Sequence, residues 1–333
     1  MLRQVFNTVI VTGFIFFNSH AFANNEDLTS SLSDGQPTNA VNTTASTMSG
    51  VVEVDPAIEQ VQARFLPIWG NEARAKGYDL PKTFGISYNY MNLKQDIVVD
   101  GIGFIMPKNP DTAKALVVTP GHTNQESESH MLKLDAWVFP FMNVYGLYGK
   151  TKGSSTTILE GVDFIGMPLP IQGMPFELEF EGQSFGAGVN FAAGYKKAFG
   201  TLDINYTRSD LDVLDGSIKA LMITPRIGYN LELPELIEGQ GNSKLQLWTG
   251  AMYQDVTQHF RGNVNDLNLP PMLKMLLSAL DDPGMKFDVN QHLAHKWNPL
   301  VGARYEVTPN FNLTTEVGFN NRKSYLISGE FRF

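Results

Sequence analysis

The side chains best suited to chemistry in this sequence are five histidines and one serine motif. His122, His130, His259, His292 and His295 remain once an N-terminal leader is set aside. His259 and His295 fall at facing ends of consecutive expected strands and could come close, so they are the candidates if any catalysis occurs. No Ser stands beside a His with a clear third partner, however, and the favoured reading of all five is surface-loop histidines with no special role. A metal centre needs a third ligand fixed by geometry, and the spacing supplies none, so neither a metal nor a cofactor is expected. Gly182–Gly186, GQSFG, has the letters of a nucleophile elbow. That device requires a strand–turn–helix, whereas Ser184 opens a twelve-residue alternating segment, so no acyl transfer is expected there. The chain contains no cysteine, which excludes thiolate metal sites, cysteine nucleophiles and disulfides.

A second set is larger. Lys133, Asp135, Trp137, Asp203, Asn205, Arg226, Gln246, Trp248, Arg304, Glu306, Glu316, Glu330 and Arg332 all lie on the polar side of alternating segments. Four are basic and five acidic. Facing inward in a narrow barrel, they make an ion-paired filling or the wall of a polar conduit. A pore tuned to one sign of ion would carry a one-sided ring, and this set is balanced.

These side chains must be positioned by strands. In SFGAGVNFAAGY, Phe185, Ala187, Val189, Phe191, Ala193 and Tyr195 oppose Ser184, Gly186, Gly188, Asn190, Ala192 and Gly194. The same period of two recurs in TLDINYT, LMITPRIGYNL, VGARYEV and FNLTTEVGF. Strands are expected near 84–93, 97–105, 113–120, 128–138, 141–152, 183–195, 198–209, 217–231, 243–260, 295–307, 310–320 and 323–333. The expected fold class is all-β, a transmembrane antiparallel barrel of about 10–12 strands with a short N-terminal helical segment, and a soluble exported sandwich is the structural alternative. Aromatic residues bracket the short turns, as at Phe139 and Phe141, Tyr195 and Phe199, and Tyr305 and Phe311. Such rings settle at bilayer interfaces. The long connections, from Thr151 to Gln183 and from Phe260 to His295, lie on the opposite side.

Residues 1–23 have Arg3, an apolar stretch and Ala21-Phe22-Ala23, the layout of a cleaved secretory signal. The net charge of −9 becomes −10 without Arg3, which argues against nucleic acid as a partner. Residues 24–50 are Ser-, Thr- and Asn-rich and read as a linker. Residues 51–82 are expected to hold a short periplasmic helix or plug, and 83–333 the barrel. Inside the last long loop, Leu269, Met272, Leu273, Leu276, Leu277 and Leu280 predict an amphipathic helix over 267–281. It is expected to fold into the barrel mouth or against lipid, and either position would restrict a pore.

The export signal, the alternating strands and the terminal YLISGEFRF resemble Gram-negative outer-membrane β-barrel proteins. The resemblance covers roughly residues 83–333. It implies an outer-membrane location in contact with lipid and lipopolysaccharide. It also implies that Tyr325, Ile327, Phe331 and Phe333 form the signal read by the barrel-assembly machinery, with Arg332, Glu330 and Ser328 toward the lumen. No activity follows from it. The leading expectation is a narrow channel or uptake protein for a small polar solute. A lipid-active hydrolase and a non-catalytic structural or surface-binding barrel are the alternatives.

Overall fold

The computed structural model describes residues 65–333 except 214, 216, 235–242 and 281; the expected leader, the linker and the first part of segment 51–82 lie outside the described residues. A short helix, α1 (Gly70–Ala75), precedes the sheet. The strands are β1 (Phe84–Ile105), β2 (Leu116–Phe139), β3 (Met142–Phe164), β4 (Met167–Pro168), β5 (Pro175–Tyr195) and β6 (Ala198–Leu211). They continue with β7 (Ser217–Leu233), β8 (Ser243–Asn263), β9 (Lys286–Leu293), β10 (Trp297–Thr308), β11 (Phe311–Gly318) and β12 (Arg322–Arg332). Two more helices, α2 (Pro110–Ala115) and α3 (Pro271–Ala279), lie in connections.

Ten strands close into an antiparallel ring in the order β1-β2-β3-β5-β6-β7-β8-β10-β11-β12, with β12 paired back onto β1. Closure leaves no open edge, which a membrane requires because lipid offers no hydrogen bonds. The ring count settles at ten because two pairs of expected strands are continuous. Segments 84–93 and 97–105 are both β1, and 113–120 and 128–138 are both β2. The connection expected from Thr151 to Gln183 is also mostly strand, since β3 runs on to Phe164 and β5 starts at Pro175.

The long strands carry two opposite polarities. At the end holding both the short turns and Phe333, Phe84, Ile86 and Tyr88 point outward on β1 while Gly85, Ser87 and Asn89 point inward. Beyond Tyr90 the outward positions become Asn92, Lys94 and Asp96, and the buried ones include Leu93, Ile97 and Val99. On β5, Tyr195 through Phe185 face outward, then Gln183, Glu181 and Glu179 do, while Phe180, Leu178 and Phe176 are buried. The first half of each strand is therefore patterned for lipid outside and polar groups inside, the second half for water outside and an apolar core. One strand crosses both environments.

That second half forms a dome. β10, β11 and β12 are short, and β9 takes their place beyond them by pairing with both β8 and β1. A bridge from Glu177 to Asn268 ties the segment before α3 to β5. Most of the interior is an apolar cluster that includes Phe104, Leu159, Phe176, Phe260, Leu273, Leu277 and Phe287, with a smaller cluster of Ile97, Ala220, Val256 and Leu293. Each such side chain contributes about 2 kcal/mol when buried, which favours a filled dome over an open one. α3 starts on Pro271, whose fixed φ suits a first helical position, and buries Leu273 and Leu277 in the larger cluster. Met272 and Met275 remain exposed. The amphipathic stripe thus docks into the dome and not onto lipid.

Candidate functional site

The first half of the barrel encloses the polar set. Asp135, on β2, accepts from Asn143 Nδ2 at 2.6 Å and Arg332 Nη2 at 2.9 Å, with Lys133 Nζ at 3.7 Å. Arg332 also reaches Glu330, which accepts from Arg304 at 3.0 Å. A second group spans the lumen: Arg226 on β7 donates through Nε and Nη2 to Glu316 on β11, at 2.7 and 3.0 Å. Trp248 Nε1 donates to the same carboxylate at 2.8 Å. Tyr145 donates to Asp203, both carboxylate oxygens lying at 2.9 Å, and Asn205 donates to it as well. Gln246 donates to Asn230.

Glu306 stands apart from these groups, paired in register with Lys244 on β8, which itself binds Asp79. The Trp137 indole nitrogen is buried and has no acceptor among the described residues. The rings need room in so narrow a space. Trp248 lies over Gly302 and Tyr145 over Gly188, where any Cβ would overlap the ring. Glycine is required at both positions by this close approach.

Each buried cation in these two groups faces a carboxylate, so the charges neutralise one another inside the wall. Within these groups, Asp135 Oδ1 and Asn205 Oδ1 are buried with no hydrogen-bond partner among the described residues. Beside them runs a ladder of hydroxyls: Ser129, Thr151, Ser184 and Ser209 join β2, β3, β5 and β6 at 2.9, 3.0 and 2.7 Å. Ser184 is therefore a link in this ladder on an unbroken strand, not a nucleophile at a turn.

The two catalytic candidates are engaged separately. His259 Nε2 lies 2.7 Å from Asp288, which Arg261 also binds at 2.7 Å. Asp288 lies on β9 in the dome. Burial raises its affinity for the proton, but the hydrogen bonds from Arg261 and His259 outweigh this and hold it below the ordinary carboxylate value. His295 contributes its backbone carbonyl, 3.5 Å from Arg322 Nη2. His292 pairs with Asp100 at 3.0 Å, and His122 faces Asp96 at 3.6 Å.

His130 sits in a constellation that no local motif announces. Tyr88 Oη and His130 Nδ1 are 2.6 Å apart, and His130 Nε2 lies 3.0 Å from Glu128. The Tyr90 ring packs on the imidazole at 5.2 Å, and Lys152 reaches Glu128 at 3.4 Å. With Nε2 protonated toward Glu128, Nδ1 accepts the Tyr88 proton, which is a short relay on the outer wall where the apolar belt gives way to charge. Its partners are 42 residues apart, and only the β1–β2 register brings them together.

At the turn end, Trp69 packs on Phe139 at 5.1 Å and on Phe141 at 6.5 Å, which sets α1 against the β2–β3 turn. Phe84 and Phe333 exchange both backbone hydrogen bonds and stack at 6.0 Å. Phe333, Phe331, Ile327 and Tyr325 are exposed on the outer wall, while Arg332, Glu330 and Ser328 are buried.

No protein-family model matches this chain, and a search of the curated proteins finds no relative. Among solved structures it is similar to the transport unit of the autotransporter AIDA-I from Escherichia coli. Identity is 9%, with 75% of this chain and 90% of that one covered, at a TM-score of 0.35. It is also similar to the loop-L8 deletion mutant of OmpT, an outer membrane protein of Vibrio cholerae. There identity is 7%, coverage 75% and 99%, and the TM-score 0.24. Neither likeness is close enough to bear on function.

Proposed function

We propose that this protein is an outer-membrane barrel of a Gram-negative bacterium that does not conduct in its resting form and acts through its dome at the cell surface. The short-turn end with Phe333 faces the periplasm in this reading, and the dome faces outward. The observation that carries it is the inverted polarity of the long strands. It puts an apolar core, anchored by α3, across the path that a solute would take. Lipid and lipopolysaccharide surround the belt, and the barrel-assembly machinery reads the strand that holds Tyr325, Ile327, Phe331 and Phe333. This reading favours the surface-binding alternative over a constitutive channel.

A gated channel for a small polar solute is the second reading. The balanced charges of the lumen favour it, because such walls also line conduits. Single-channel recording on the refolded protein separates the two. The first reading expects silence from intact protein, and silence again when Leu273→Asp and Leu277→Asp disrupt the dome. Discrete conductance in the intact protein would overturn it. Conductance appearing only in the disrupted dome would establish the second. Release of fatty acid from lipid, lost in His130→Ala, would instead make the barrel a hydrolase.

A further inference from the structure

Arg322 opens β12, where the polar lumen meets the dome, and is only 2% exposed. Its main chain is clamped: Asn298 Oδ1 accepts from its N–H at 2.9 Å, and Asn298 Nδ2 donates to its carbonyl at 2.8 Å. Its guanidinium is less well served. Nε donates to Gln95 Oε1 at 2.8 Å, and Nη2 lies 3.5 Å from the His295 carbonyl oxygen. Nη1 is buried with no partner among the described residues.

The contrast with the rest of the lumen is one of charge. Arg226 has Glu316, Arg304 has Glu330, and Arg332 has both Asp135 and Glu330. Among the described residues no carboxylate lies within 4.0 Å of Arg322. Its neighbours are neutral amides. Gln95 turns its oxygen to Arg322 and donates from Nε2 to Gln125 Oε1 at 3.1 Å. That relay ends on the Gln125 amide nitrogen, which is another donor. A guanidinium does not shed its proton in a protein, and an uncompensated buried charge is strongly destabilising.

We propose that a small monovalent anion of halide size completes this site, accepting from Arg322 Nη1 at the floor of the dome. The anion supplies the missing counter-charge. It also ties β12 to β1, through Gln95, and to the segment that carries His295 and Asn298. An anion that binds only the folded state stabilises it in proportion to the logarithm of its concentration above the dissociation constant.

The test is unfolding of the full-length protein in detergent, at constant ionic strength, with chloride or bromide exchanged for gluconate. The expected result is a midpoint that rises with halide and depends on its concentration as a single site would. Arg322→Met should lose this dependence. Gln95→Glu is the second variant and guards against a misfolded first one. Its carboxylate is placed on Arg322 Nε, so stability in gluconate should rise and the halide effect should vanish. Bromide-soaked crystals should show an anomalous peak within hydrogen-bonding distance of Nη1. No halide dependence in the wild-type protein, or a dependence that survives in both variants, would overturn the assignment.

Discussion

Arg226 and Glu316 meet across the lumen in a two-pronged contact, although β8 and β10 separate their strands in the ring. The pair is a strut between two parts of the wall that are not neighbours in the sheet. Glu316→Gln leaves a buried guanidinium beside a neutral amide, and breaking such a pair costs about 3–5 kcal/mol. The urea midpoint of the folded protein in detergent should fall accordingly. Replacing both partners, with Arg226→Met and Glu316→Leu, should recover most of the loss, because no charge then remains buried. A double variant as weak as the single one would mean that Trp248, which shares the carboxylate, carries the strut instead.

The outer belt predicts a depth profile on β12. Ile327 is exposed midway along the lipid-facing stripe, and Phe333 ends it beside Phe84. A cation at the middle of a bilayer costs about 2–4 kcal/mol, and near an interface about 0–1 kcal/mol. Refolding into vesicles should therefore show Ile327→Arg clearly less stable than Phe333→Arg. Equal penalties at the two positions would count against the placement of the belt.

Much of this architecture can be read from alternation alone, because each strand with a wet side and a greasy side announces itself every second residue. The failure at β1 and β2 has a physical cause. On β1 the apolar residues shift phase, from Phe84, Ile86 and Tyr88 to Leu93, Ile97 and Val99. A phase shift looks like a turn, whereas the strand simply passes from lipid into water around a new core. The stripe of α3 was legible because its leucines are neighbours on a single helix. The Tyr88–His130–Glu128 relay was not, since cross-strand register created it. Arg322 is not legible in the sequence for a related reason. It is the first residue of β12, one position before the expected strand, and its isolation appears only when every carboxylate has been placed.

The dome should behave as a soluble unit grafted onto the barrel. Leu273 is fully buried beneath α3, and Leu273→Ala should cost about 2–5 kcal/mol there. Hydrogen exchange should then lose protection in β9 and α3 while the strands in the belt keep theirs. Uniform loss around the ring would show that dome and barrel unfold together.

Acid should loosen the dome by a route that Asp288 makes specific. Its carboxyl sits below the ordinary 3.8, held there by Arg261 and His259 against the opposing effect of burial. A carboxyl with a depressed value in the folded state stabilises that state above its unfolded value, and the benefit is lost as the pH falls through the folded one. Wild-type protein should therefore resist pepsin better than Asp288→Asn at pH 5, with cuts expected in the dome. The gap should shrink below about pH 4 and close once Asp288 is protonated in the folded state too. A gap that widened toward low pH would reverse the sign and show that Asp288 is not stabilising as a carboxylate.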